Sequence, residues 1–376
     1  MKTNTPEEKM RIVICPDSYK GSATAAEATN AIKSAINGVI PDAECVALPI
    51  ADGGEGSVAA VCESLGAEWR YREVTGPYGE PVRARYALCG TDAYIEMAEA
   101  SGLCLCDRRE PLLASTKGTG ELMLDARANG AHRITVFIGG SATCDGGIGM
   151  AEAFGYRFYD RDSRRLACVG GSMPDIARIV PPEEHPLAGV EVICASDVTN
   201  PTYGENGAAF VFAPQKGASP EQVLTLDRGL RNLACVVERD IGTDVHTLVG
   251  GGAAGGLGAG LYAFASAKMR GGFCVIADIL GLEKEIELSD AVITGEGCTD
   301  IQSVMGKVVG SIARIADKHS KRCILISGLV KDAEQLEKMG IYRSYSCMDY
   351  APSVEESMRD AVHYITLAAS DCAREL

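Results

Sequence analysis

Short, unbroken apolar runs alternate with segments of helical period at the start of the chain. Arg11 to Cys15 is one such run and reads as a buried parallel strand, closed by Pro16, Asp17 and Ser18. Residues 24–39 carry apolar groups at helical spacing and stop before Pro41 and Asp42. Cys45 to Ile50 reads as a second strand, followed by Asp52, Gly53, Gly54 and a helix near 56–65. This β-α-β-α opening predicts a parallel sheet with crossover helices. The period then changes. Residues 69–74 and 82–88 alternate apolar and polar around the turn-forming stretch Thr75 to Gly79, which predicts a hairpin, and 93–97 adds a strand. Strands over 134–138 and 190–195, a helix near 147–154 and a long helix over 221–238 follow. The end returns to α/β: strand 290–294, helix about 304–318, strand 323–327, helix 333–339, strand 344–347 and a last helix over 354–373.

The two ends thus read as halves of one doubly wound sheet, and the middle reads differently. Residues 1–66 with 286–376 are expected to form one α/β domain, and 67–285 a mixed-sheet α/β domain inserted into it. A chain of 376 residues exceeds what one core serves. No apolar run approaches the ~18–20 residues of a membrane span. Met1 to Lys9 is polar and lacks the apolar core of a signal peptide, so a cytoplasmic protein is expected. The fifteen cysteines are scattered without a C-x-x-C, and none of the five histidines adjoins a cysteine pair, so zinc is not expected. Net charge is −15, from 36 Lys and Arg against 51 Asp and Glu, with no basic run; this argues against nucleic acid. Any site for an anion must gather its few cations locally.

The 43 glycines gather at strand ends. Five loops stand out: Ala51 to Gly56, Gly139 to Thr143, Gln215 to Gly217, Gly250 to Gly256 and Thr294 to Gly297. Glycine lets backbone N–H groups approach a ligand, and before a helix such groups cradle an anion. Yet no G-x-x-x-x-G-K-[ST] occurs, since Val308 follows Gly306 and Lys307. The protein-kinase signatures and a dinucleotide fingerprint are also missing. Asp17, Asp52, Glu55, Asp145, Asp197, Glu296 and Asp300 fall at or just after strand ends. Lys20, Lys117, Lys216 and Lys307 each adjoin Gly or Ser, and Lys117 reads as a surface charge. Phosphoryl transfer needs such groups: a carboxylate to take the hydroxyl proton, others to hold Mg²⁺, and cations on the phosphates. The residues alone reach a site for a phosphorylated or anionic small molecule.

In order, these loops resemble the bacterial glycerate kinase family over nearly the whole chain. The matching segments are Ile12 to Gly21, Leu48 to Gly56, Pro111 to Ser115 with Gly118 to Leu122, and Gly139 to Thr143 with Asp145 to Gly147. They continue through Ser196 to Pro201, Pro214 to Ala218, Gly250 to Gly256, and Ile293 to Gly297 with Asp300, Gln302, Gly306 and Lys307. The resemblance implies an ATP- and Mg²⁺-dependent enzyme with a flavodoxin-like domain, an inserted α/β domain and an active-site cleft between them. It implies phosphorylation of D-glycerate, with 2-phosphoglycerate favoured over 3-phosphoglycerate. On these positions, Gly251, Gly252, Gly255 and Gly256, with Gly295, Glu296, Gly297 and Lys307, are expected to hold ATP. Asp52, Glu55 and Asp300 are expected on the metal. Asp197 is the expected base, with Lys20 and Asp52 also catalytic. Ser18, Lys216, Ser141, Thr143 and Asn200 are expected on the substrate. Cys298 stands where the family commonly has Arg, Ile301 where a small polar residue is usual, and 269–280 also departs. Alternatives are a kinase of another small hydroxy acid, a non-catalytic sugar-acid sensor and, weaker for want of the fingerprint, a dehydrogenase. Oligomeric state is not legible.

Overall fold

The computed structural model describes residues 9–51, 53–54, 56–301, 303 and 308–376. The chain forms two compact units, Met1–Asp52 with Ile276–Leu376, and Gly53–Val275. These boundaries lie earlier than the expected 66/67 and 285/286. The helix Ser57–Leu65 goes with the second unit because Glu96, on a strand of that unit, accepts the Val58 N–H at 2.8 Å at its N-terminus.

The first unit is built on five parallel strands in the order Arg343–Ser346, Arg322–Ser327, Ala291–Thr294, Arg11–Ile14, Glu44–Ala47. Numbered along the chain, that order is 2-1-3-4-5, the flavodoxin-like winding. Alternate residues point to opposite faces. Ile12, Ile14, Ile293, Ile324 and Ile326 face the helices Ala25–Val39 and Ala361–Glu375 in one core. The helix Val308–Lys318 packs against the strands Ala291–Thr294 and Arg322–Ser327. Thr24 and Glu27 form a capping box at the start of Ala25–Val39, where the sequence changes from turn to helical period.

The expected single helix over 354–373 is two helices, Val354–Arg359 and Ala361–Glu375. Asp360 breaks them at φ −121°, ψ 48°, and short acidic side chains tolerate such non-helical positions well.

The second unit carries a six-stranded mixed sheet in the order Lys268–Arg270, Glu191–Ala195, Arg133–Phe137, Asp92–Glu96, Pro81–Cys89, Glu68–Thr75. The first four are parallel, and the expected hairpin supplies the antiparallel edge. The long helix is Pro220–Ile241, opened by a capping box of Ser219 and Gln222 with Pro220 at the first turn, and closed by Gly242 at φ 78°. Its buried residues include Leu226, Leu230, Leu233 and Val237, one stripe at helical spacing. The Gly-dense stretch after Gly250 leads into the helix Ala253–Ala265, which is kinked at its start, with Ala254, Gly255 and Gly256 in the left-handed region at φ 53°, 70° and 89°. Eight of the fifteen cysteines are buried, and all fifteen are free thiols. Among the described residues no helix is long and apolar enough to cross a membrane.

Candidate active site

In a sheet wound 2-1-3-4-5, the chain leaves strands 1 and 3 in opposite directions, opening a crevice at their carboxyl ends. Here those strands are Arg11–Ile14 and Ala291–Thr294. The loops that leave them are tied together: Thr294 Oγ1 donates to Cys15 O at 3.1 Å, and Asp17 N to Gly295 O at 2.8 Å. Tyr19 turns inward, fully buried, and its hydroxyl donates to Ile326 O at 2.5 Å. Burial pushes this phenol well up. Anchoring Tyr19 fixes its neighbours, Ser18 and Lys20.

Gly295 is glycine for a steric reason: a Cβ there would lie 1.6 Å from Ile326 O. Glu296 N donates to Ser327 Oγ at 3.3 Å, and its carboxylate accepts from Thr299 Oγ1 at 3.2 Å. The Cβ position of Gly297 is 3.4 Å from Lys20 N. The structure thus brings Ser18, Lys20, Glu296 and Gly297 onto one cavity of about 350 Å³. Asp300 Oδ1 accepts the Ser303 N–H at 3.0 Å, a helix-capping contact. Asp52, Glu55 and Lys307 lie outside the described residues.

In the second unit, register places Glu96, Phe137, Ala195 and Arg270 in one row across the four parallel strands. The loops that follow are packed by glycine. A Cβ on Gly53 would sit 2.7 Å from Gly272 Cα, and one on Gly139 would sit 2.8 Å from Gly54 Cα. Asp197 emerges two residues past the strand Glu191–Ala195 and is exposed. Its Oδ2 accepts from Phe273 N at 3.3 Å, at the start of the helix Gly272–Ile279. A helix N-terminus favours a negative group there. Asn200 braces its own loop, donating from Nδ2 to Asn206 O at 2.8 Å and accepting Gly252 N–H at 3.0 Å.

Lys216 is 3% exposed, and its ammonium donates to Ser141 Oγ at 2.6 Å and Thr143 O at 2.7 Å. Three of the five residues expected on substrate, Lys216, Ser141 and Thr143, therefore form one cluster. Thr143 Oγ1 within it is buried and has no hydrogen-bond partner among the described residues. Burial lowers the Lys216 pKa from 10.5 to about 8. A lysine depressed in the folded state is neutral there while still protonated in the unfolded chain, between about pH 8 and 10.5. Stability therefore rises with pH across that window. Relative to Lys216→Met, wild type is expected to gain on the order of 3 kcal/mol from pH 8 to 10.5. Denaturant unfolding of both proteins at the two pH values checks this, and an unchanging difference refutes it.

Beside the cluster, Asp145 is fully buried and accepts from Thr116 N, Thr116 Oγ1, Gly147 N and Gly149 N at 2.8–3.2 Å. It latches two helix starts together. Sequence reading grouped it with the strand-end acids and had no signal for this role.

The Gly250 to Gly256 run is buried, except Ala254, which is half-buried. Gly250, Gly251, Gly252, Ala253 and Gly256 each donate their N–H to a backbone carbonyl of the unit. A Cβ on Gly252 would meet Pro201 O at 2.2 Å, and one on Gly255 would meet Thr143 O at 2.1 Å. These glycines lie where backbone packs closely on backbone. Sequence reading missed the Thr299–Ser327 hydroxyl pair at 2.8 Å behind Glu296. It also missed that Gly271 to Phe273, which it marked only as a departure, forms the seat of Asp197. Among the described residues no group of three His, Cys, Asp or Glu is placed to hold a metal.

Lys20 and the Gly295 to Gly297 loop stand at the switch point of a flavodoxin-like sheet, where such folds bind small ligands. The model of the glycerate kinase family matches residues 12–376. The chain is 40% identical to the glycerate 2-kinase of Escherichia coli (strain K12) over 373 residues, 98% of each chain. It is 40% identical to a glycerate kinase of Halalkalibacterium halodurans over 368 residues, 96% of this chain and 97% of that one. The crystal structure of a Salmonella typhimurium LT2 protein assigned as glycerate kinase 2 superposes with a TM-score of 0.87 at 40% identity, covering 98% of both chains. The chain belongs to the glycerate kinase family. It is a phosphotransferase acting on a small molecule, with ATP the co-substrate that a kinase family implies.

Proposed function

We propose that the protein transfers the γ-phosphate of ATP to the 2-hydroxyl of D-glycerate, in the cytoplasm, giving 2-phosphoglycerate and ADP. The observation that carries this reading is the lysine–glycine assembly at the switch point, in a chain aligned end to end with a glycerate 2-kinase. Lys20 and Ser18 contact the transferred phosphoryl group, and the Gly295 to Gly297 loop holds phosphates. In the second unit, Asp197 takes the hydroxyl proton. The hydroxyl oxygen bonds to Pγ as the bridging P–O bond breaks, and ADP leaves with the electron pair. Lys216 acts by holding Ser141 and Thr143 in place, as a positioning residue. Positioning and charge neutralisation supply most of the rate.

Magnesium in kinases is held by one or two carboxylates together with the phosphates. Asp300, with its Oδ1 on Ser303, is its proposed ligand among the described residues, alongside the roles assigned to Asp52 and Glu55. The ion supplies charge neutralisation on the phosphates. Turnover is expected to fall to background in excess chelator and to return with added Mg²⁺. Full turnover in chelator removes the metal from the reading. Coupling the product to enolase alone tests the position, because enolase consumes 2-phosphoglycerate and leaves 3-phosphoglycerate. ADP release from glycerate without an enolase signal overturns the 2-position.

A further inference from the structure

We propose that the cavity at the carboxyl edge of the five-stranded sheet seats the purine base of the nucleotide, with the phosphates leading out along Lys20 and Gly297. The proposal rests on the kinase reading above and names a part of that site nothing else assigns.

Two kinds of residue line the cavity. Ser18, Lys20, Glu296 and Gly297 offer polar side chains and backbone, and Leu329, Met348, Val354, Met358, Ala361 and Ile365 offer apolar surface. A three-carbon hydroxy acid has no apolar surface to set against the second kind, and burying its carboxylate there carries a desolvation cost. An occupant that satisfies both has an apolar body and an anionic tail. About 350 Å³ lies in the ordinary range of small-molecule pockets, roughly 300–1,000 Å³.

The apolar wall is left open by the fold. Val354 and Met358 remain 55% and 46% exposed, although both line the cavity. The break at Asp360 separates the short helix that carries them from Ala361–Glu375. Met358 Cε reaches to 3.6 Å from where a Gly21 Cβ would be, so its thioether lies against the Lys20–Gly21 turn. Met348 is placed by its N–H, which donates to Gly328 O at 3.2 Å and Ser346 Oγ at 3.3 Å. Methionine sulfurs make favourable contacts with aromatic rings, and two of them line this slot. The Glu296 carboxylate adds an acceptor suited to ribose hydroxyls.

The test uses wild-type protein carrying ¹³C-methyl methionine, titrated with ADP, adenosine, tripolyphosphate and D-glycerate. The Met348 and Met358 methyl signals are expected to shift with ADP and adenosine, and the Met348 signal to stay in place with tripolyphosphate and glycerate. In parallel, Leu329→Trp, which fills the slot, is expected to weaken ADP binding at least tenfold while tripolyphosphate affinity stays within twofold. If the enzyme releases ADP with glycerate but ADP moves neither methyl signal, the base lies elsewhere and the proposal is overturned while the kinase reading stands. If wild type neither binds ADP nor releases it with any sugar acid, both fall. The methyl titration decides the question even where Leu329→Trp does not fold.

Discussion

Asp197→Asn is expected to lower kcat by roughly 10²–10⁴-fold, with a modest change in the KM for glycerate. The carboxylate stands exposed just past a central strand of the second unit, held by the Phe273 N–H. An alcohol is a poor nucleophile until its proton has somewhere to go, and a fixed carboxylate receives it as the phosphoryl group moves. Asparagine keeps the shape and can still accept from Phe273 N, so the variant should melt like wild type. Two other roles give different results. If Asp197 holds magnesium, raising the Mg²⁺ concentration should restore much of the rate. If it only caps the helix Gly272–Ile279, asparagine should be almost silent, because it caps about as well. Kinetics at two Mg²⁺ concentrations separate the three, and a rate within twofold of wild type at both ends the assignment of Asp197 as base.

Gly295→Ala should cost about 3 kcal/mol or more, the second large effect. The added carbon would lie 1.6 Å from a backbone oxygen, Ile326 O, so no side-chain rotation relieves it. Either the loop after Thr294 or the strand end at Ile326 must move, and Tyr19 hydrogen-bonds to that same carbonyl. Lys20 follows Tyr19 directly, so the ATP KM should rise with the loss of stability. Gly38→Ala is the control: its helical backbone is ordinary, and nothing lies within 4 Å of the new carbon. That change should be neutral or stabilise by about 0.5–1 kcal/mol. Calorimetric melting of the three proteins settles the comparison, and Gly295→Ala melting with wild type would refute the contact.

Much of the frame is legible in the residues because each cue acts locally. Arg11 to Cys15 is apolar on both faces because both faces of its strand are covered. The inner strand of the hairpin alternates because one of its faces, with Ala84, Tyr86 and Leu88, packs into the core. Ser219, Pro220 and Gly242 mark the ends of the long helix by the dihedral angles they accept. The glycine loops were visible too, but their reasons were not. Gly252 and Gly255 read like phosphate cradles, and both also lie where backbone meets backbone, since a missing Cβ serves either purpose equally.

The chain order of strands, the acid and lysine loops at their ends and the family they resemble belong to the sequence alone, since each rests on neighbours in the chain. Contacts between distant segments belong to the tertiary structure. Lys216 meets Ser141 and Thr143 across more than seventy residues, and Asp145 closes on Thr116 across 29. Met348 and Met358 join Lys20 on one cavity across more than three hundred residues. No local pattern encodes such meetings, because they arise only when strand order and helix packing fold remote loops onto the same sheet edge.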